Sequence, residues 1–142
     1  MALQIGDKAP KIKGLKHEGK KLILFFYPKD NTPGCTAEAC SLRDNYKLLQ
    51  KKGFELVGVS VDDEKSHQKF ISKYELPFQL IADTEQKVVN DFEVWVEKSM
   101  YGRKYMGTAR KTFIIDEKGK IEHIIEKVDT KDHANQILDL YK

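Results

Sequence analysis

Pro28-Lys29-Asp30-Asn31-Thr32-Pro33-Gly34-Cys35-Thr36-Ala37-Glu38-Ala39-Cys40 leaves the unbroken apolar run Leu22-Ile23-Leu24-Phe25-Phe26-Tyr27 and enters an amphipathic helical pattern. An apolar run of this kind suits a central strand covered on both faces. The strand stops at a proline, a turn carrying Asn, Pro and Gly follows, and a helix then begins with Cys35 in its first turn. Unpaired backbone N–H groups and the positive end of the helix dipole face a sulfur placed there, which favours the thiolate. Both cysteines of the chain lie in this stretch. On two cysteines alone, an inert buried pair or a structural disulfide is the alternative to a reactive thiol.

Outward from this stretch the pattern stays regular. Ala39, Leu42, Tyr46 and Leu49 recur at helical spacing, Lys51 and Lys52 occupy the last turn, and Gly53 stops a helix that runs to about residue 52. Phe54 to Val61 reads as a second buried strand. Asp62 or Asp63 caps a helix with Phe70, Ile71 and Tyr74 on its apolar side, ended by Pro77. Phe78 to Ala82 reads as a third strand and Gln86 to Phe92 as a short helix. Lys111 to Ile115 and Lys120 to Glu126 read as a β-hairpin around Asp116-Glu117-Lys118-Gly119, and Thr130 to Tyr141 as a closing helix. On the N-terminal side, alternation through Lys11-Ile12-Lys13-Gly14-Leu15-Lys16 permits a short edge strand, with Gly19 at a turn. The order is α/β, a parallel half joined to an antiparallel half, with a central mixed sheet flanked by helices on both faces. That order is thioredoxin-like.

The chain has 142 residues, enough for one domain, 1–142, with a core that needs no disulfide staples. Apolar residues make up 40% and charged residues 33%, which excludes a disordered chain, and the net charge of +3 is spread along the length. No cluster of Lys and Arg is interleaved with stacking aromatics, so no nucleic-acid partner is expected. Met1 to Asp7 lacks the pattern of a secretory signal, and no apolar stretch approaches a membrane span. A reducing compartment, by default the cytoplasm, is expected, where a disulfide is transient and functional. His17, His67, His123 and His133 are scattered without metal-ligand spacing, so no metal and no cofactor is expected.

The residues carry a resemblance. Pro28-x-x-x-Thr32-x-x-Cys35 resembles the active-site signature of peroxiredoxins, and a second cysteine five residues on resembles the peroxiredoxin Q, or bacterioferritin comigratory protein, branch. The runs Phe25-Phe26-Tyr27-Pro28-Lys29, Thr32-Pro33-Gly34-Cys35-Thr36, Cys40-Ser41-Leu42-Arg43-Asp44 and Thr112-Phe113-Ile114-Ile115-Asp116 are similar to that branch in the same order, over about residues 5 to 140. The resemblance implies a thioredoxin-like fold and a thiol-dependent peroxidase acting on hydrogen peroxide and organic hydroperoxides. It makes Cys35 the peroxidatic cysteine, Cys40 the resolving one, Thr32 and Arg110 the residues that hold the peroxide, and Pro28 a shield over the sulfur. It also implies a thioredoxin or similar dithiol reductant as partner, and a monomer. One departure stands out: members of the branch carry a longer N-terminal hairpin before the first core strand than this chain does.

The chemistry sets further expectations. A thiolate that attacks a peroxide builds negative charge on the departing oxygen, so donors aimed at that oxygen limit the rate. Thr32 can present its hydroxyl there, or serve only as an N-cap with Pro33 in the first helical position. Arg110 directly precedes a strand expected beside the Cys35 loop, and its guanidinium stays charged and offers several donors, the alternative being a surface arginine. Arg43 either supports the site or pairs on the helix surface. Trp95 either walls an apolar peroxide pocket or packs in the ordinary way. Oxidation leaves a sulfenic acid that condenses with a second thiol. Five residues apart on an intact helix, the two Cα atoms lie about 8.6 Å apart with side chains about 140° apart around the axis. A disulfide tolerates at most about 6.8 Å, so the first turns of the helix have to unwind. Two other readings share these residues. A thiol–disulfide oxidoreductase of this fold would use Cys-x-x-Cys and a proline where Ala109-Arg110 stands, and a redox sensor would use the same thiolate without turnover.

Overall fold

The computed structural model describes residues 3–12, 15 and 20–141. Its strands are β1 (Lys21–Phe26), β2 (Phe54–Ser60), β3 (Gln79–Ala82), β4 (Trp95–Met100), β5 (Arg103–Thr108), β6 (Lys111–Ile115) and β7 (Ile121–Ile125). Its helices are α1 (Pro33–Asp44), α2 (Tyr46–Lys51), α3 (Glu64–Tyr74), α4 (Lys87–Asp91) and α5 (His133–Asp139). Five strands form one mixed sheet in the order β3-β2-β1-β6-β7, and β4 and β5 form a separate two-stranded ribbon. β1, β2 and β3 run parallel, whereas β6 and β7 are antiparallel to their neighbours.

The apolar run forms the middle of the sheet because it can be buried on both sides. Leu22 to Tyr27 are all buried, and they alternate between two cores. Ile23, Phe25 and Tyr27 pack with Cys35, Ala39, Leu42, Leu49, Phe70, Ala134 and Ile137. Leu22, Leu24 and Phe26 pack on the other face with Val89, Phe92, Val94 and Phe113. The topology explains this division. The β1-to-β2 and β2-to-β3 crossovers step in the same direction across the sheet, and crossovers of one hand must then lie on one face. Both faces are helix-covered, as the sequence implies, but unequally: α1, α2, α3 and α5 share the first face and the short α4 serves the second.

The elements differ from the sequence reading in three places. The helix expected to run to about residue 52 is broken at Asn45, whose backbone leaves the helical region and whose side-chain amide donates to the Ser41 carbonyl at 2.9 Å. Asn competes with helical hydrogen bonds in this way. The ribbon β4–β5 was not expected at all. Its strands are exposed on most positions and lack apolar alternation, and the two-residue turn Tyr101-Gly102 has positive φ at both positions without the usual Asn-Gly signature. The edge strand expected over Lys11 to Lys16, with its turn at Gly19, lies partly outside the described residues; Lys11, Ile12 and Leu15 carry no strand. Leu3, Ala9, Ile12 and Leu15 pack on the second core, and Gly6, Asp7 and Ala9 exchange backbone hydrogen bonds with Gly119 and Ile121.

Candidate active site

The carboxyl end of β1 is where the chain leaves the sheet to start α1, and in open α/β sheets such ends carry the sites. Thr32 takes an extended backbone at the N-cap, Pro33 occupies the first helical position, and Cys35 falls in the first turn. Its sulfur is free and the residue is 2% exposed. The register Phe26↔Lys111 brings the start of β6 beside this end of β1, and so brings Arg110 to the same place.

Arg110 bridges two groups of α1. One terminal nitrogen, Nη2, lies 3.1 Å from Cys35 Sγ, and the other, Nη1, donates to Glu38 Oε1 at 2.7 Å. Gly34 makes the approach possible: a Cβ there would stand 3.2 Å from Nη2. Burial works against the Arg110 charge, yet the Cys35 sulfur and the Glu38 carboxyl outweigh it and hold the guanidinium above its ordinary pKa. Lys98 on β4 is a further cation of this cluster. Burial, then Arg110, push its ammonium below the usual lysine value, with Cys35 acting in the opposite sense.

Glu38 is fully buried, one helical turn beyond Cys35. Burial pushes its carboxyl up to about 7, against the pull of Arg110. Among the described residues its second oxygen, Oε2, has no hydrogen-bond partner, and it lies 3.6 Å from Nε2 of His133. His133, at the start of α5, is also fully buried, and burial holds its imidazole below the usual value. Its Nδ1 faces the Gln136 amide oxygen at 2.8 Å, and its Nε2 faces the Thr112 hydroxyl at 2.7 Å. That amide oxygen only accepts, so Nδ1 carries a proton; in the neutral ring Nε2 then accepts from Thr112.

A second network fixes the loop before α1. The Asp30 carboxylate accepts from the Tyr27 hydroxyl at 2.6 Å and the Ser66 hydroxyl at 2.8 Å, and pairs with His67 Nδ1 at 2.7 Å. His67 Nε2 lies 2.9 Å from the Ile81 carbonyl. Both partners of the ring only accept, so both nitrogens donate and the imidazole is charged. Asp62 joins by accepting from the Asp30 backbone N–H at 2.8 Å. Asp30, Asp62 and His67 are near enough to share a metal ion, but their facing atoms are taken up by one another and by Ser60, Ser66 and Ile81.

The structure therefore brings Cys35, Arg110 and the Thr32 loop together. Cys40 lies half-buried on the same unbroken helix, with its thiol free. The Thr32 hydroxyl makes no cap and instead donates to the Lys29 carbonyl at 2.9 Å, which leaves its lone pairs to accept. Pro28 is half-buried beside the strand end. Arg43 turns elsewhere: its guanidinium bonds the Tyr74 carbonyl at 2.7 Å and pairs with Asp44. Trp95 packs on the second core, the ordinary alternative. Glu38, His133 and Lys98 were not singled out as site residues by the sequence reading, nor were Asp30 and His67. For Glu38 a signal existed, since it follows Cys35 at i+3 on the face shared with Ala39 and Leu42.

Known proteins resemble this chain in sequence and fold. Residues 5–124 match the AhpC/TSA family. Peroxiredoxin Bcp of Bacillus subtilis is 41% identical over 152 aligned positions, covering 100% of this chain and 97% of the relative. A bacterioferritin comigratory protein of Xanthomonas campestris, solved in a study of its alkyl peroxide reduction activity, superposes with a TM-score of 0.82 at 35% identity, over 87% of this chain and 79% of that one. A cysteine-to-serine variant of PrxQ from Xylella fastidiosa superposes with a TM-score of 0.91 at 28% identity, over 99% of this chain and 96% of that one. The chain thus belongs to the AhpC/TSA family, in its Bcp or peroxiredoxin Q branch of thiol-dependent peroxidases.

Proposed function

We propose that Cys35 is the sulfur that peroxide oxidises, that Cys40 resolves it within the same chain, and that a thioredoxin-type dithiol restores both thiols. The observation that carries this reading is the Arg110 guanidinium, 3.1 Å from a sulfur in the first turn of α1. A fixed positive group beside the sulfur stabilises the thiolate in a site where water cannot screen it. Attack of the thiolate on the near oxygen breaks the O–O bond, and the remaining guanidinium N–H groups are in place to receive the negative charge on the far one. Thr32, with its own proton committed to Lys29, accepts from the peroxide O–H and orients it. Pro28 covers the strand end and keeps bulk water from the sulfur. The electrons come from the thiols, so the reaction asks for no cofactor.

The sulfenic acid on Cys35 then meets Cys40. On the intact α1 the two Cα atoms would be about 8.6 Å apart by helix geometry, beyond disulfide reach, so the first turns open before the bond closes. An exposed disulfide formed in this way suits reduction by a small dithiol protein. The resolving cysteine lies in the same chain, which supports action as a monomer, and a transient disulfide belongs in a reducing compartment such as the cytoplasm. Among the described residues no helix is long and apolar enough to cross a membrane.

The test is peroxide consumption with a thioredoxin system, for hydrogen peroxide and an alkyl hydroperoxide. Wild type should turn over as long as reductant lasts, Cys35→Ser should be inactive, and Cys40→Ser should undergo one fast oxidation and then recycle poorly. A single stoichiometric oxidation of the wild type followed by arrest would instead support a redox sensor.

A further inference from the structure

Glu38 sits between the two cysteines in sequence and beside Arg110 in space, and it shares that guanidinium with Cys35. In the reduced protein Arg110 is shared between the Cys35 sulfur and Glu38 Oε1, at 3.1 and 2.7 Å. Glu38 Oε2 is sealed from solvent without a hydrogen-bond partner among the described residues. A carboxylate oxygen in that position is unfavourable, whereas a carboxylic acid there loses much less. Among the described residues the groups that face Glu38 are Arg110 from the β5–β6 junction and His133 from α5, with Cys35 on its own helix linked to it through Arg110. Behind them stand Lys98 on β4, which faces Arg110 and Cys35, and Asp129, which faces His133.

Oxidation removes one negative charge from this cluster. Before the helix opens, the Arg110 charge is then no longer shared with a thiolate, and Glu38 is the anionic partner left on it. The unwinding that joins Cys35 to Cys40 also opens the segment that contains Glu38, and takes its carboxyl into water. Both changes favour the carboxylate. We propose that Glu38 holds a proton in the reduced protein and releases it on oxidation, so that the buried carboxyl, not the solvent, balances the proton taken up by the departing peroxide oxygen. This rests on Cys35 being the sulfur that reacts.

The balance is definite. Thiolate, Cys40 thiol and hydroperoxide give disulfide, alcohol and water only with one added proton: S⁻ + SH + ROOH + H⁺ → S–S + ROH + H₂O. The S–O bond forms as O–O breaks, the alkoxide takes the proton, and the sulfenic hydroxyl leaves as water when S–S closes. If Glu38 supplies that proton, the solution loses none. The role of His133 follows: held neutral by burial and committed to Thr112 and Gln136, it leaves the Glu38 proton without a competing buried base.

The experiment is a single oxidation of reduced protein by one equivalent of hydrogen peroxide in weakly buffered solution at pH about 6, roughly one unit below the buried carboxyl. A pH indicator counts protons, and mass spectrometry counts Cys35–Cys40 disulfide. Wild type should take up well under one proton per disulfide, and Glu38→Gln close to one. Ultraviolet thiolate absorbance of the reduced forms establishes that both begin from the same state of Cys35. Equal uptake by the two proteins would overturn the proposal. Failure to form the disulfide in wild type would instead sink the assignment of Cys35 and Cys40. Should Glu38→Gln not fold, the oxidised-minus-reduced infrared difference of the wild type decides the matter. Loss of a protonated-carboxyl band is expected, and its persistence would contradict the proposal.

Discussion

Two buried carboxylate–histidine pairs stand on either side of Cys35, and they are opposites. Asp30, in the loop before α1, is saturated by Tyr27, Ser66 and His67, and those bonds hold its carboxyl below the usual range although burial works the other way. His67, although burial disfavours its charge, is held above the ordinary imidazole value by Asp30 and the Ile81 carbonyl. Glu38, in α1, has one bonded oxygen and one orphan, and burial wins. Glu38 lies deeper than Asp30 and has fewer hydrogen bonds, and the two differences together set the opposite signs of the shifts. The saturated pair fixes the loop that carries Thr32. Glu38 of the unsaturated pair belongs to the α1 segment proposed to move, whereas its partner His133 stays on α5.

The largest effect should come from breaking the saturated pair. His67→Ala leaves Asp30 buried with its charge unpaired, and removal of one member of such a pair costs about 3–5 kcal/mol. Chemical denaturation should register that loss most fully between the ordinary carboxylate and imidazole ranges. The raised His67 contributes stability that is complete below its unfolded value and is lost as pH rises through its folded one. The lowered Asp30 contributes stability that is present above its unfolded value and fades as pH falls through its folded one.

Next in size is Arg110→Met, which removes the group that links the other pair to the sulfur. Stopped-flow oxidation of Cys35 should slow by about 10²- to 10³-fold, or about 3–4 kcal/mol, as when one donor is removed from a developing oxyanion. Stability should change far less, so a rate loss matched by unfolding would contradict the role given to Arg110.

The smallest of the three sharpens the comparison through pH alone. Glu38 is raised from 4.5 to about 7 by burial, and a carboxyl raised on folding makes the protein less stable as pH rises through that interval. Relative to Glu38→Gln, wild type should lose about 3 kcal/mol across it, at 1.36 kcal/mol per unit. A flat difference would place Glu38 with Asp30 as a saturated, permanently charged group.

How much of this was legible in the chain depends on range. The strand from Leu22, the turn at Pro33-Gly34 and the position of Cys35 are local features, and apolar runs, proline and helix spacing report them directly. Arg110 was reached through the family resemblance, because its place before a strand expected beside the Cys35 loop does not by itself distinguish it from a surface arginine. The ribbon β4–β5 escaped because exposed strands such as Arg103 to Thr108 need no apolar alternation. His67 and His133 escaped for another reason. Each is one polar residue among several on its helix, and only the packing of α3 and α5 against α1 and its loop gives it a carboxylate to face. Glu38 was visible in the spacing, but a glutamate on an apolar face reads as an exception until the arginine that accounts for it is in place.

The most direct test of the whole account is amide hydrogen exchange across Thr36 to Arg43, in the reduced protein and after one equivalent of peroxide. The reduced protein should protect these amides as part of α1, with Ser41 also accepting from the Ala134 N–H of α5 at 3.2 Å. Oxidation should abolish that protection while Phe54 to Ser60 in β2 keep theirs. Full protection of Thr36 to Arg43 in protein whose Cys35–Cys40 disulfide has formed would contradict the account, because the intact helix holds those two sulfurs apart.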